Sequence, residues 1–341
     1  MNVAVLGEVL LRLSPPGAER LFQSSVLRAN FGGAEANVAV SLAGWGHAVR
    51  VLSVLPANAV GDAALEELRK KGLETSFIRR AGDRLGIYFA ETGSGPRPSR
   101  VIYDRARSGL AEAGPGDFDW DRTMAGVDWF HVSGITPALS ASAAALTEVA
   151  IGEARRSGAT VSLDLNFRAK LWRYGPAAPE VMDPLVRRAD LLFANEEDCQ
   201  RALGMSGPQA SGGEDIDAGA YEDLATRVLE AYPNLSRVAI TLRESHGADE
   251  NVWSAVLRSR AGYWAGPRHR LRAIVDRIGA GDAFAAGLIH GLASLPDERA
   301  ALAFALAASA LKHTVPGDFN IASEAEVVAL AAGDSSGRIR R

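Results

Sequence analysis

Residues 276–287 read DRIGAGDAFAAG: two glycines around an alanine, then an aspartate and a run of small residues. Three chemistries can be written on such a loop. A dinucleotide fingerprint needs Gly-x-Gly-x-x-Gly or Ala, so that backbone can approach a pyrophosphate and the helix can pack on its strand. Here Phe284 stands where the third small residue belongs, and no second strand–helix–strand half follows. A Walker phosphate loop needs Gly-Lys-Ser/Thr, and the chain holds no Gly-Lys pair. The third chemistry is a helix N-terminus that receives an anion. The pattern predicts a strand over RAIVD (272–276), a tight turn at Gly279-Ala280-Gly281 and a helix beyond it. The first N–H groups of a helix lack internal partners, the helix dipole favours negative charge there, and glycines allow close approach. Asp282 falls in the first turn. Beside a phosphate its carboxylate can take the proton of an attacking hydroxyl; it can equally cap its own helix. The loop by itself leaves both roles open.

A loop of this kind acts only where a scaffold points it. VAVLG (3–7), VRVLSVLP (49–56), DWFHVSG, ATVSLDLN, ADLLFANEED and SRVAITL each read as buried strands that end in polar residues. Helical stretches alternate with them, among them 140–156, 180–188, 196–203 and 219–231. The alternation predicts an α/β fold: a doubly wound, mostly parallel sheet with helices on both faces. Ligands in such sheets bind beyond the carboxyl ends of the strands. Those ends carry Gly7-Glu8, Ser133-Gly134, Asp164 to Arg168, Asn195-Glu196 and Thr241. Two regions break the alternation, 9–31 and 84–107, where LGIYFAETG and SRVIYDRA alternate and are rich in Ile, Val and Tyr. They predict antiparallel strands of a small β-sheet lid joined by GSGPRP, a mobile turn. The core is then 1–8, 32–83 and 108–333, with a surface loop at 204–219 and a flexible tail at 334–341. The lid's unpaired edges need cover, which a second subunit can supply, so a homodimer or higher oligomer through the lid is expected.

Composition narrows the partners. A net charge of −4 gives no electrostatic reason to expect nucleic acid or an anionic membrane. One cysteine, Cys199, excludes an internal disulfide and a cysteine metal cluster, as in a cytoplasmic protein. No run of about 18 apolar residues occurs, so no membrane span is expected.

GAGDAF, together with Gly32-Gly33-Ala-Glu-Ala-Asn37, resembles the paired signatures of the ribokinase-like sugar kinases, the phosphofructokinase-B family, in order and separation. The resemblance covers essentially the whole chain, lid included. It implies ATP as phosphoryl donor, with Mg2+, and a small-molecule sugar as acceptor. It makes Asp282 the catalytic base and the N–H groups around Gly279, Ala280 and Gly281 an anion hole. Asn195 and Glu196 resemble the region that holds Mg2+, often through water; Glu196 can also simply open its helix. Asp276 resembles a position near a monovalent cation such as K+. Asn166 and Thr241 fall on the nucleotide side. Arg243 stands there where glycine is common: it either holds a phosphate or lies on the surface of a longer turn. AASALKH (307–313) resembles the helix that flanks adenine.

Five residues beyond Gly7, where many of these kinases carry an aspartate for sugar hydroxyls, stands Arg12. An arginine suits a carboxylate better than a neutral sugar, though Arg12 can also be an outward lid residue. GIYF, VIYDRA, HVSGITPALS, LDLNFRAKLW and LKHTVPGDFN together resemble the 2-keto-3-deoxygluconate kinases of this family. That resemblance has Gly33, Asn37, Tyr88, Tyr103, Arg105 and Arg168 line an acid sugar, with Asp318 either at a sugar hydroxyl or a plain turn residue. It implies transfer to the C6 hydroxyl of 2-keto-3-deoxygluconate. The alternatives are a fructokinase or ribokinase-type kinase of a neutral sugar, and a sugar-binding regulator without catalysis.

Overall fold

The computed structural model describes residues 1–208 and 218–334. Residues 209–217, the centre of the expected surface loop, and 335–341, the expected tail beyond its first residue, lie outside the described residues. The described strands are β1 (Asn2–Leu6), β2 (Leu10–Ser14), β3 (Arg28–Gly32), β4 (Ala48–Leu55), β5 (Ile78–Arg80), β6 (Gly86–Glu91), β7 (Arg100–Asp104), β8 (Trp129–Ser133), β9 (Thr160–Asp164), β10 (Leu191–Ala194), β11 (Arg237–Ser245), β12 (Glu250–Ser259), β13 (Tyr263–Ala265) and β14 (His269–Arg272). Among the described residues ten of them form one sheet in the order β13-β12-β11-β10-β9-β8-β1-β4-β5, with β14 also on β12. Pairing is parallel from β5 through β11 and antiparallel where β12 joins β11, β13 and β14.

Both faces of this sheet are buried, which is why its central strands read as continuous apolar runs. Alternate residues of β1 serve opposite sides. Val3 and Val5 join a cluster with Phe284, Phe304 and Leu68, whereas Ala4 and Leu6 join one with Phe130, Leu146 and Met182. Helices Ala34–Gly44, Ala280–Ser294 and Glu298–Lys312 cover the first face; Ala141–Arg156, Ala178–Val186 and Ala218–Ala231 cover the second. The small residues after Asp282 have a packing reason. A Cβ on Gly287 or Gly291 would lie 2.7 or 2.6 Å from the Cα of Ala305 or Ala301. The two helices therefore touch backbone to backbone, and the loop that precedes the first is held rigidly.

The second sheet has the order β3-β2-β6-β7. β6 and β7 pair antiparallel, as expected, while β2 and β6 pair parallel. Register sets Tyr88 opposite both Arg12 and Tyr103. GSGPRP is not a free turn: Ser94 and Arg97 exchange backbone hydrogen bonds of 3.0 Å, and Gly95 O accepts from Ala248 N at 2.8 Å. Two further expectations are corrected. The strand expected at 272–276 stops at Arg272, because Ala273 takes a φ of 54° that ends extended pairing. The strand expected to end at Thr241 runs on to Ser245, so Arg243 lies within a β-hairpin and not on a turn.

Candidate active site

The lid stands over the carboxyl edge of the large sheet, and a cleft of about 560 Å3 lies between them. It is lined by Gly33, Asn37, Tyr88, Tyr103, Arg105, Asn166, Arg168, Asn195, Glu196, Thr241, Arg243, Asp318 and the loop Gly279-Ala280-Gly281-Asp282. Residues from both sheets and from widely separated segments thus converge. Arg12 and Asp276 do not line it.

At the floor of the cleft the helix Ala280–Ser294 begins at Gly279, whose φ of 84° is left-handed and whose Cβ would fall 2.1 Å from the Asp318 carbonyl oxygen. Glycine is required there on both counts. Gly281, where the space around a Cβ is open, and Asp282 line the cleft, and N–H groups in the first turn of a helix lack intrahelical partners. No side chain caps this helix. The Asp282 carboxylate instead accepts a hydrogen bond of 2.6 Å from Asn37 Nδ2. Burial pushes the Asp282 pKa up to about 7, against the Asn37 hydrogen bond and with help from the charge of Glu35. A carboxylate poised there is suited to general-base work at neutral pH. Asn37 is buried with Oδ1 unpartnered, an acceptor available to a ligand.

Behind the loop lies a cluster formed by Arg12, Asp276 and Asp318. Arg12, on β2, is buried and pairs with Asp276 at 2.7 Å and Asp318 at 3.1 Å. Burial works against its charge, but the carboxylates of Asp276 and Asp318 keep it protonated. Neither outward nor in contact with the cleft, it faces the two carboxylates the fold places beneath the lid. Asp276 is fully engaged: Oδ1 accepts from Ile278 N at 3.1 Å, and Oδ2 takes Gly317 N at 3.1 Å as well as Arg12. The carboxylate expected beside a monovalent cation already has its cation. Asp318 is more than a turn residue, since it binds Arg12 and accepts from the Tyr88 hydroxyl while lining the cleft.

On the sugar side, Arg105 is not a free guanidinium. Its Nη2 and Nε lie 2.6 and 2.7 Å from Oε2 of the buried Glu8, and it stacks over Tyr103 at 5.7 Å. Arg168 differs: its side chain is exposed in the cleft, and among the described residues no carboxylate lies within ion-pair distance of it. Its charge nevertheless reaches Asp282, Asp164 and Asp198.

The other end carries Asn195, Glu196, Thr241, Arg243, Arg277 and His313. Asn195 caps the helix Glu196–Ala202: its Oδ1 accepts from Asp198 N at 2.8 Å, while Asp198 returns a bond to Asn195 N at 3.0 Å. Glu196 opens that helix and also lines the cleft, its pKa raised by burial against the pull of Arg243. Among the described residues no group of three or more His, Cys, Asp or Glu is arranged to hold a metal alone. Isolated carboxylates of this kind fit an Mg2+ that keeps several waters and takes oxygens from a nucleotide. Burial and the nearby charge of Arg243 lower the Arg277 pKa, against the pull of Asp249; two neighbouring arginines that form no ion pair within 4.0 Å among the described residues suit a polyphosphate.

Several buried or cleft-lining polar groups were given no role by the sequence reading. Glu35, in the signature after Gly33, is buried and accepts from Ser133 N, Ser133 Oγ and Thr136 Oγ1 at 2.8 to 2.9 Å, and burial raises its pKa. Asp164 is raised well above the usual carboxylate range by burial and by Asp198 and Asp282. Arg277 and Lys312 were also missed, although Arg277 stands next to Asp276 in the loop.

The description "pfkB family carbohydrate kinase" matches residues 1–325. The chain is 33% identical over 337 residues, 98% of either chain, to a 2-dehydro-3-deoxygalactonokinase of Haloferax volcanii. It is 30% identical over 323 residues to a 2-dehydro-3-deoxygluconokinase of Thermoproteus tenax, 93% of this chain and 90% of that one. Its structure superposes on a 2-dehydro-3-deoxygluconokinase from Thermotoga maritima with a TM-score of 0.92 at 44% identity, covering 98% of this chain and 100% of the other. With the matched fold, the glycine-hinged helix start and the cleft beneath a β lid, the chain belongs to the pfkB family of carbohydrate kinases.

Proposed function

We propose that this kinase transfers the γ-phosphoryl group of ATP to the terminal hydroxyl of a 2-keto-3-deoxy acid sugar, 2-keto-3-deoxygluconate first among them. The observation that carries the reading is a base and an unpaired cation in one cleft. Asp282 has a pKa of about 7, and Arg168 has no carboxylate partner among the described residues yet lies near enough to lower that pKa. An acid sugar satisfies both, with its carboxylate on Arg168 and its hydroxyl at Asp282. The similarity to acid-sugar kinases points the same way.

Asp282 takes the proton of the attacking hydroxyl, and Asn37 Nδ2 fixes its orientation. The N–H groups of Gly281 and Asp282 stabilise charge on the transferred phosphoryl group. Tyr88 and Tyr103 form the lid wall that excludes water. Arg243 and Arg277 are placed to hold the phosphates, and Glu196 would hold Mg2+. An Mg2+ held there would supply charge neutralisation at the nucleotide phosphates.

The test is ADP release across 2-keto-3-deoxygluconate, 2-keto-3-deoxygalactonate, fructose, ribose and gluconate. A preference in kcat/KM of about 100-fold or more for the keto-deoxy acids is expected. A comparable preference for fructose or ribose would overturn the reading, and would favour the neutral-sugar kinase that leaves Arg168 without a counter-charge.

A further inference from the structure

We infer that the Lys312 ammonium is the built-in cation of the phosphoryl-transfer loop, so that this kinase needs no monovalent metal ion. Lys312 ends the helix Glu298–Lys312 and is fully buried, at 0% exposure. Fully buried lysines are rare and need partners. Its Nζ donates to the Val315 carbonyl at 3.1 Å and reaches the Asp276 carbonyl at 3.5 Å. These oxygens belong to the two segments that frame the loop. The segments are laced together by Val275 N and Asp276 N on His313 O, at 2.9 and 3.3 Å, and by Gly317 N on Asp276 Oδ2 at 3.1 Å. A Cβ on Gly279 would stand 3.3 Å from Lys312 Cε. The left-handed turn that aims the N–H groups therefore rests directly on the lysine side chain.

Arg12 and Lys312 face Asp276 and Asp318, the Asp282 carboxylate adds its pull on Lys312 from the loop itself, and the Tyr88 hydroxyl, whose pKa is raised by burial, remains a neutral donor to Asp318. Burial pulls the Lys312 pKa down, while Asp276 and Asp318 pull it up. A K+ added here would be a third cation beside the buried Arg12 and Lys312 and would be repelled by both. It would also compete for oxygens that are taken, since the two carbonyls meet Nζ and the Asp276 carboxylate meets Arg12 and two backbone N–H groups. The monovalent-cation site implied by family resemblance thus does not fit the residues present. A tethered ammonium supplies the same unit charge at a fixed place. Lys312 is on this basis a positioning residue, acting through Gly279 and the first turn of the helix.

The inference rests on the phosphoryl-transfer reading of the loop, and two measurements keep the two apart. Initial rates of the wild-type enzyme are followed from potassium-free tetramethylammonium buffer to about 0.1 M KCl at constant ionic strength. Less than about a twofold change in kcat is expected, and activation of about tenfold or more would overturn the inference. This arm uses the native protein and does not depend on a variant folding. In the second arm, Lys312→Ala is expected to lose about 100-fold in kcat with KM for ATP and sugar nearly unchanged, and to gain a dependence on K+ or NH4+ that restores about tenfold. A lysine with only a structural role would not create that dependence, so its absence in folded Lys312→Ala overturns the inference. Failure of the loop reading itself would appear differently, as wild-type turnover unaffected by Asp282→Asn.

Discussion

Replacing Asp282 by asparagine should make this protein more stable, by an amount that depends on pH. Burial raises the Asp282 pKa from 3.8 to about 7. A carboxylate raised in this way binds its proton more tightly when folded, so deprotonation favours the unfolded chain. The cost is absent below the unfolded pKa of 3.8, grows as pH rises, and is complete above about 7. Three units at about 1.4 kcal/mol each give an upper bound of about 4 kcal/mol. Water entering the cleft screens part of it, because Asp282 retains some solvent contact. Asparagine carries no charge to bury and can still accept from Asn37. Urea unfolding of both proteins at pH 5 and pH 8 measures the effect. The stability advantage of the variant should widen by about 2.5 kcal/mol across that interval, less the screening. If both proteins show the same pH dependence, Asp282 is not the raised carboxylate described here.

The same pKa sets the acid limb of turnover: only the deprotonated base works, so kcat should fall about tenfold between pH 8 and pH 6 in a pH–rate profile. Gly279→Ala forces a side chain onto the Asp318 carbonyl in a left-handed turn and should lower kcat by about 100-fold or more at near-normal KM, read by steady-state kinetics. Arg168→Met should raise KM for the acid sugar by about 10- to 100-fold and leave KM for ATP alone, whereas Arg243→Met should do the reverse.

The legible parts of the sequence were those whose meaning is local. Parallel strands buried on both faces announce themselves as apolar runs, so the sheet and its polar carboxyl ends could be placed. The glycine turn into a helix carries its anion chemistry within a few residues, so Asp282 and Gly279 to Gly281 were readable as a unit. Arg12 was readable as a partner for a substrate carboxylate or as an outward lid residue, and it is neither. Its partners, Asp276 and Asp318, come from the far end of the chain, the latter 306 residues away. Arg105 gave no sign of Glu8, nor Glu35 of Ser133, 98 residues distant. Lys312 was not singled out within AASALKH, and its complete burial is what makes it informative. Local pattern identifies groups able to do chemistry; which of them remain free for a ligand depends on long-range pairing that residue spacing does not encode. Arg168 and Arg105 show the difference most plainly, one open and the other already held.

The central claim is that Asp282 takes the proton of the attacking hydroxyl. It is tested most directly by measuring, on Asp282→Asn, kcat with the preferred acid sugar and the dissociation constants of ATP and sugar by calorimetry. A fall in kcat of about 1,000-fold with both dissociation constants within about threefold of wild type is the predicted result. Turnover close to wild type in that variant would contradict it.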